Sequence, residues 1–169
     1  MVEAAVLVPL FRRHEGDLRL ILVRRAAHGR HGGQLAFPGG KRDPADASLV
    51  ATVLRETREE IGLDSDAIEI LEHLPAVDTT SSGFRIWPYL GRVRPPPRWR
   101  WQISEIDEVI EVSVSSLVAA EEVGPDSSPW SQEMREGPGY VVGPDRLWGV
   151  SYRILQPLLP RLLTGEWRI

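Results

Sequence analysis

The 169 residues carry a formal net charge of −4, and 42% of them are hydrophobic and 26% charged, which is ordinary for one soluble globular domain. The acidic balance argues against a general nucleic-acid-binding protein, and the lack of cysteine in the sequence excludes disulfides and cysteine-bound zinc. No apolar run approaches the roughly 20 residues that cross a membrane, and the first run carries Glu3 without a basic leader, so it predicts a strand and not a signal peptide.

The beginning of the chain predicts two paired strands and a basic loop. Residues 4–11 and 18–23 are apolar runs separated by a short turn, which indicates a hairpin. Residues 24–33 form a basic loop with three glycines, and residues 34–37 a short extended piece before two glycines. Because converging arginines favour bidentate contacts with phosphate, the loop is a candidate anion-binding element.

One amphipathic helix is predicted over residues 43–61. Asp43 followed by a proline is typical of a helix start, and Gly62 is placed for a left-handed C-cap. Positions i, i+3 and i+4 of a helix are neighbours, so three carboxylates share an arc of about 100°. These residues are Glu56, Glu59 and Glu60.

The three neighbouring carboxylates repel one another unless a cation joins them. Hard divalent cations prefer carboxylate oxygens, so the cluster indicates a Mg²⁺ or Mn²⁺ site. The alternative is an exposed acidic helix face that Arg55 and Arg58 neutralise.

The middle of the chain predicts three further strands. They lie over residues 68–74, 84–93 and 104–112, and Pro88 indicates that the second of them is an edge strand or carries a bulge. Residues 78–83 predict a polar loop with little to hold it rigid.

The last third predicts helices around a loop-rich stretch. A short helix is expected over residues 113–122. Residues 125–144 are rich in Gly, Pro and Ser and predict a stretch that is mostly loop, with residues 140–142 extended. A terminal helix is expected over residues 148–163, kinked or shortened by Pro157 and Pro160. Strands on both sides of a helix, with another helix at the end, predict an α/β sandwich.

Residues 55–63, RETREEIGL, match the pattern R-E-U-x-E-E-x-G-U except at Thr57, where U is a bulky apolar residue. This pattern is the second half of the Nudix box, and the sequence resembles a Nudix hydrolase. The first half departs from the common form, because Ala47 stands where a glutamate is usual and Asp46 stands beside it. The usual glycine is likewise displaced by one residue, to Gly40.

The segment upstream of the helix resembles the signature of the coenzyme A diphosphatase branch of the Nudix superfamily. Within residues 21–40, the matching positions are Arg25, Ala26, Arg30, Gly33 and residues 37–40. The gap between Arg30 and Gly33 is one residue short, and Val23 replaces a threonine. The further stretches that look similar to that branch are residues 39–46, 83–91, 105–117 and 147–155.

This resemblance implies a Nudix-type α/β/α sandwich with a mixed β-sheet. It implies that the metal ligands are Glu56, Glu59 and Glu60, that Gly40 approaches the same site, and that Arg55 orients a carboxylate. A further acidic ligand is expected, with Glu105 as the candidate and Glu108 in reserve. One of Glu56, Glu59 and Glu105 would take the proton of the attacking water.

The implied reaction is metal-dependent hydrolysis of the diphosphate bond of coenzyme A or an acyl-coenzyme A, which yields 3′,5′-ADP and (acyl-)4′-phosphopantetheine. The implied substrate contacts are Arg25 and Arg30 on phosphate, Gly39 and Gly40 beside the metal site, and Phe84 on the pantetheine side. We expect a small nucleotide substrate, a cytoplasmic protein that binds neither nucleic acid nor membranes, and one domain over residues 1–169. A homodimer is compatible with the sequence.

Two alternatives stay open at this point. The chain could hydrolyse another nucleoside diphosphate derivative, such as ADP-ribose or NADH, because the Arg30 to Gly33 spacing departs from the coenzyme A signature. It could also be a Nudix-fold binding or regulatory module without catalysis, although such modules typically lose glutamates that this chain keeps.

Overall fold

A computed structural model of the protein describes residues 1–29, 31–119, 121–122 and 137–169. The two N-terminal apolar runs form strands β1 (Val2–Arg12) and β2 (Leu18–Arg25), which pair antiparallel with Leu10 opposite Leu20 and confirm the predicted hairpin. The strands that follow in the same sheet are β3 (Leu35–Ala36), β4 (Gly39–Lys41), β5 (Ile68–His73), β6 (Val77–Asp78), β7 (Phe84–Val93) and β8 (Ile106–Ser113).

The main sheet is mixed, because β1 pairs parallel with β7 and antiparallel with β2 and β4. Its principal strand order is β3-β2-β1-β7-β5, with β8 paired to β2 and β6 paired to β7. A small second sheet has the order β11-β10-β9, formed by β9 (Glu121–Glu122), β10 (Gly139–Val142) and β11 (Asp145–Trp148).

The main sheet has a core on each face, because successive side chains of a strand point to opposite sides. On one face Ala5 and Leu7 of β1 pack with residues of helix α1 (Leu49–Ile61), which include Val53. On the other face Val8 and Leu10 pack with buried residues of the remaining helices. These helices are α2 (Val114–Ala119), α3 (Gly149–Leu155) and α4 (Leu159–Leu163). The expected α/β/α sandwich is confirmed.

Helix α1 begins later than the sequence predicts. Its N-cap is Ser48, whose hydroxyl accepts a hydrogen bond from Ala51 N at 3.1 Å. The predicted start at Asp43 is wrong, because the Asp43 side chain accepts from Ala45 N at 2.8 Å and closes a turn that competes with the helix. The predicted C-cap is confirmed, since Gly62 has φ 70° and donates to Arg58 O.

The interpretation of Pro88 as an edge residue is also wrong. Strand β7 lies between β1 and β5, and the irregularity lies on β5, between Ile70 and Glu72. Pro88 faces the gap between β5 and β6, where its carbonyl accepts from Leu74 N at 2.9 Å. A missing N–H is tolerated where the ladder is interrupted.

The connection before β7 is more ordered than its composition predicts. The Thr79 hydroxyl accepts from Phe84 N at 2.9 Å, and Thr79 N donates back to Phe84 O at 2.8 Å. Gly83 N donates to Thr79 O at 3.2 Å, so the loop is a hydrogen-bonded hairpin turn.

The predicted terminal helix is divided. Its first residue, Trp148, belongs to β11, and the helical part is split into α3 and α4 around Pro157. Pro160 lies in the first turn of α4, where a proline costs no hydrogen bond. Of the stretch 125–144, the part up to residue 136 lies outside the described residues. The expected extended piece at residues 140–142 is confirmed as part of β10. Among the described residues, no helix is long and apolar enough to cross a membrane.

Candidate active site

Two glycines allow α1 to approach strand β4 closely. Gly39 and Gly40 pair with Val6 and Ala5 of β1. A Cβ at Gly39, whose φ is 153°, would overlap the carbonyl oxygen of Ala5. A Cβ at Gly40 would come within 2.5 Å of the carboxyl carbon of Glu56. The carboxylate of Glu56 on α1 therefore lies directly against the β4 backbone.

Glu60 is the most deeply placed carboxylate of the helix, with 5% of the residue exposed. Its Oε2 accepts a hydrogen bond from Gly39 N at 3.1 Å. Burial raises the pKa of Glu60 to about 8; the Gly39 N–H and the charge of Arg25 oppose the rise, and Glu56 and Glu105 add to it. Any nearby cation would favour the ionised form of this group.

Arg55 joins the other two glutamates of the helix. Its Nη1 donates to Glu56 Oε1 at 3.0 Å and to Glu59 Oε2 at 3.1 Å. Glu56 is the more enclosed, and burial raises its pKa against the opposing hydrogen bond from Arg55. The Glu59 side chain is 52% exposed and faces the solvent side of the cluster.

Asp46 is a residue of this site to which the sequence assigned no role. Arg55 donates to both of its carboxylate oxygens, at 2.9 Å from Nε and 2.9 Å from Nη2. The Asp46 side chain is 6% exposed and also accepts from the Thr52 hydroxyl at 2.9 Å. Arg55 holds the pKa of Asp46 well below its usual range. In the sequence, the signal for this role was that Asp46 is an acidic residue next to position 47, where the box usually has a glutamate.

The loop after β7 carries Glu105 to the same cluster. Gln102 N donates to Glu60 O at 3.0 Å, and Ala26 N donates to Glu105 O at 2.8 Å, so the loop is tied to the end of α1 and to β2. The charge of Glu105 raises the pKa of both Glu56 and Glu60.

Glu108, the reserve candidate, is engaged elsewhere. It pairs with Arg24, which also bonds Asp145 at 3.1 Å. The register of β2 against β8 is irregular between Arg24 and Arg25. Arg24 therefore joins the face of α2–α4 through Asp145, whereas the charge of Arg25 acts on Glu60.

The other residues predicted to bind substrate are placed differently. Arg25 is partly buried and makes no ion pair with any residue that the structure describes. Arg30 lies outside the described residues. Phe84 opens β7, and the alternation of Ile86 and Leu90 puts its position on the face opposite α1. Its contact with substrate stays a prediction.

The chemistry of the cluster fits a hard divalent cation. All the donors are carboxylate oxygens, burial and the charges of Glu59 and Glu105 raise the pKa of Glu56, and Gly40 leaves room beside Glu56. Within the described ranges, no three acidic or histidine side chains already stand at ligand spacing. Arg55 instead holds Glu56 and Glu59, so a cation would compete with these two hydrogen bonds.

A family model described as NUDIX domain matches residues 1–134. Proteins named Nudix hydrolase NudL from Salmonella paratyphi B and Salmonella newport are 44% identical to the chain over 123 residues. This stretch is 72% of this chain and 61% of each relative, so the match spans less than two thirds of their length.

Solved structures share the fold at low sequence identity. A Nudix hydrolase from M. smegmatis, RenU, has a TM-score of 0.67 and 14% identity over 99% of this chain and 89% of its own. The NUDIX domain of Shewanella oneidensis NrtR, solved with ADP ribose, has a TM-score of 0.56 and 21% identity over 70% of this chain and 77% of its own.

Proposed function

The chain belongs to the Nudix hydrolase family, and from this premise we propose that it hydrolyses the diphosphate bond of coenzyme A or an acyl-coenzyme A. The products would be 3′,5′-ADP and 4′-phosphopantetheine or its acyl form. The proposed cofactor is Mg²⁺ or Mn²⁺, held by Glu56, Glu59, Glu60 and Glu105.

The observation that supports the proposal is a group of four neighbouring carboxylates, of which those of Glu56 and Glu60 lie against the Gly39-Gly40 backbone. Three come from one helix and the fourth from a loop hydrogen-bonded to the end of that helix. A bound divalent cation supplies neutralisation of the diphosphate oxygens and a water of lowered pKa.

The protein residues divide the remaining work. A carboxylate takes the proton from the water as it attacks phosphorus, and the candidates are Glu56, Glu59 and Glu105. Glu59 is the most accessible of the helix carboxylates, which suits transfer of that proton onward to solvent. Arg55 is a positioning residue, because its hydrogen bonds to Asp46, Glu56 and Glu59 fix the direction of two carboxylates.

Support for the coenzyme A substrate comes from the segment before the helix. Residues 21–40 resemble the signature of the coenzyme A branch, and Arg25 stands on the α1 face with a charge that acts on Glu60. Unpaired guanidinium groups favour bidentate contact with phosphate. We assign to Arg25 and Arg30 the phosphates of the nucleotide, including the 3′-phosphate.

The test is a Mg²⁺-dependent assay with product identification by mass spectrometry, using coenzyme A, its 3′-dephospho form and ADP-ribose. We expect coenzyme A to be cleaved to 3′,5′-ADP and to be preferred to the other two. Glu59→Gln should reduce kcat by at least about 100-fold, whereas Glu15→Gln, in the exposed turn between β1 and β2, should leave it unchanged. Equal rates on coenzyme A and 3′-dephospho-coenzyme A would remove the role given to Arg25 and Arg30.

The alternatives give distinct results in the same assay. Preference for ADP-ribose would indicate a hydrolase of another nucleoside diphosphate derivative, which the short Arg30 to Gly33 spacing allows. Binding of these nucleotides without turnover would indicate a non-catalytic module. Unchanged turnover in Glu59→Gln would contradict the catalytic assignment of the helix.

A further inference from the structure

A cavity of about 810 Å³ lies away from the glutamate cluster. Its walls are the carboxyl ends of β1 and β7, the start of β5 and the proline-rich segment after β7. Phe11 in its lining is five residues beyond Val6, the partner of Gly39, which is roughly 17 Å along an extended strand. Neither Arg25 nor any proposed metal ligand lines it. The cavity is therefore separate from the candidate active site.

Four arginines line this cavity. Arg13 and Arg92 pair with Glu111 and Glu69, and in each pair at least one side chain is largely exposed. Exposed ion pairs contribute little stabilising free energy, so these arginines can exchange their carboxylates for other anionic partners.

The other two arginines are bonded to main-chain oxygens and make no ion pair with an acidic side chain among the described residues. Arg12 Nε donates to Ile169 O at 3.0 Å, and Arg94 Nη2 donates to Asp66 O at 2.6 Å. Each guanidinium has five N–H donors and a full charge, so most of its binding capacity is unused. Asp66 is the one further acidic side chain of the lining, so four arginine side chains face three acidic side chains.

The rest of the lining is apolar. Phe11 and Val93 are buried at its base, and three consecutive prolines and Trp99 form one wall. The Trp99 indole N–H donates to Glu111 Oε1 at 3.0 Å, which fixes the orientation of the ring. Guanidinium groups beside aromatic and proline surfaces suit a ligand that joins a phosphate to a planar ring.

We propose that this cavity is a second anion-binding site, which takes a phosphate monoester attached to a planar ring, the chemistry of a nucleotide. Arg94 and Arg12 bind the phosphate, and Trp99 with the prolines of its wall covers the ring. The site is independent of the proposed metal and of the proposed reaction.

The test is isothermal titration calorimetry of the whole chain with AMP in EDTA, so that no divalent cation bridges AMP to the glutamates. We expect saturable binding that Arg94→Ala and Arg12→Ala each weaken about tenfold or more, since each variant removes a hydrogen bond from a charged group to the phosphate. Arg98→Ala is the matched control, because Arg98 is an exposed arginine of the same segment that does not line the cavity. It should leave the affinity unchanged.

Two further arms keep the result decisive. Ribose 5-phosphate should bind more weakly than AMP, and Trp99→Leu should abolish that difference. If Arg94→Ala fails to fold by circular dichroism, Arg94→Gln takes its place with the same expected loss. The proposal is overturned by absence of saturable AMP binding, by equal affinity in the Arg12 and Arg94 variants, or by loss of all binding in Arg25→Ala.

Discussion

At the scale of single residues, the orientation of the carboxylates in the candidate site depends on the pair Asp46 and Arg55. Arg55 donates three hydrogen bonds to Asp46 and the Lys41 carbonyl, and two to Glu56 and Glu59. The Nudix box usually has a glutamate at position 47, and this chain supplies the acid from position 46 instead. A shift of one residue is tolerated because Asp46 lies in a turn before the helix and not within it.

The first prediction concerns Asp46→Asn. Without the carboxylate, Arg55 loses its fixed direction, and we expect metal-dependent turnover to fall about 10- to 100-fold, as for partners that orient metal ligands. Asp64→Asn is the control, because Asp64 is exposed and only contacts Arg58 at 3.7 Å. A purely structural role for Asp46 would lower the melting temperature and leave kcat per folded molecule unchanged, contrary to this prediction.

The same variant has a defined dependence on pH. The pKa of Asp46 is lowered in the folded state by Arg55, so its stabilising effect is complete above the unfolded-state value of about 3.9 and is lost as the pH falls below it. The difference in unfolding free energy between the wild type and Asp46→Asn should be constant near neutral pH and shrink in acid. Urea titrations at several pH values measure it, and a difference that grows in acid would contradict the sign.

The second prediction concerns two buried threonines of α1 that differ in whether the hydroxyl has a hydrogen-bond partner. Both Thr57 and Thr52 are fully buried, but the Thr57 hydroxyl has no hydrogen-bond partner among the described residues, whereas the Thr52 hydroxyl donates to Asp46. Thr57→Val should therefore stabilise the fold by about 1 kcal/mol, and Thr52→Val should destabilise it by a similar amount. Urea unfolding of the matched pair measures both, and equal effects would show that the hydroxyl partners do not decide the outcome.

At the scale of elements, the contact between α1 and β4 makes the site. The helix is amphipathic in the ordinary way, with Val53 and Ile61 in the core, but Glu60 is also buried because its carboxylate reaches the Gly39 N–H. The free-energy cost of burying a carboxylate is reduced by this hydrogen bond. It is also reduced by protonation of the carboxyl group at neutral pH, since the pKa of Glu60 is raised to about 8. Because β4 has glycine at both positions, its backbone lies against the carboxylates of Glu56 and Glu60 with no side chain between them.

The third prediction separates these two glycines. Gly40→Ala would push a methyl group against the flexible end of Glu56, so we expect metal affinity and turnover to fall at least about tenfold with little loss of stability. Gly39→Ala would meet backbone atoms of β1 at a φ of 153°, so we expect a loss of more than about 2 kcal/mol of unfolding free energy. Isothermal titration with Mn²⁺ and urea unfolding test the pair. The reverse pattern would contradict the assigned contacts.

At the scale of the whole molecule, a partly buried ion pair joins the main sheet to the C-terminal elements. Arg24 of β2 reaches across to Asp145 of β11, whose residue is 8% exposed. The packing of α2, α3 and α4 on the same face supplies the apolar part of this connection. Because Arg25 follows Arg24 and is the last residue of β2, the connection also supports the position of Arg25 in the candidate site.

The fourth prediction concerns this connection. Arg24→Ala leaves the buried Asp145 carboxylate without its partner, and we expect a loss of about 2 kcal/mol or more in unfolding free energy. Arg92→Ala removes an exposed pair with Glu69 and should cost less than about 1 kcal/mol. A double-mutant cycle with Asp145→Ala should show coupling between the two positions. Additive effects would mean that the pair does not hold the elements together.

The sequence alone was sufficient for local features. The box residues, the helix with its three glutamates and the left-handed cap at Gly62 follow from spacing within one helix, where periodicity fixes which residues are neighbours. The strands followed from apolar runs in the same way. The helix start was mispredicted because Asp43 and Ser48 offer competing caps, and only the turn around Asp43 decides between them.

Only the tertiary structure decided which distant residues join the glutamates. Glu105 reaches the cluster because its loop bonds α1 and β2, and Glu108 does not because a register shift on β2 turns Arg24 toward the other face. The position of Phe84 was fixed by the pairing of β7 with β1 in the same way. Sheet register and loop course depend on contacts between residues far apart in the chain, and a one-residue shift reverses the face of every side chain after it.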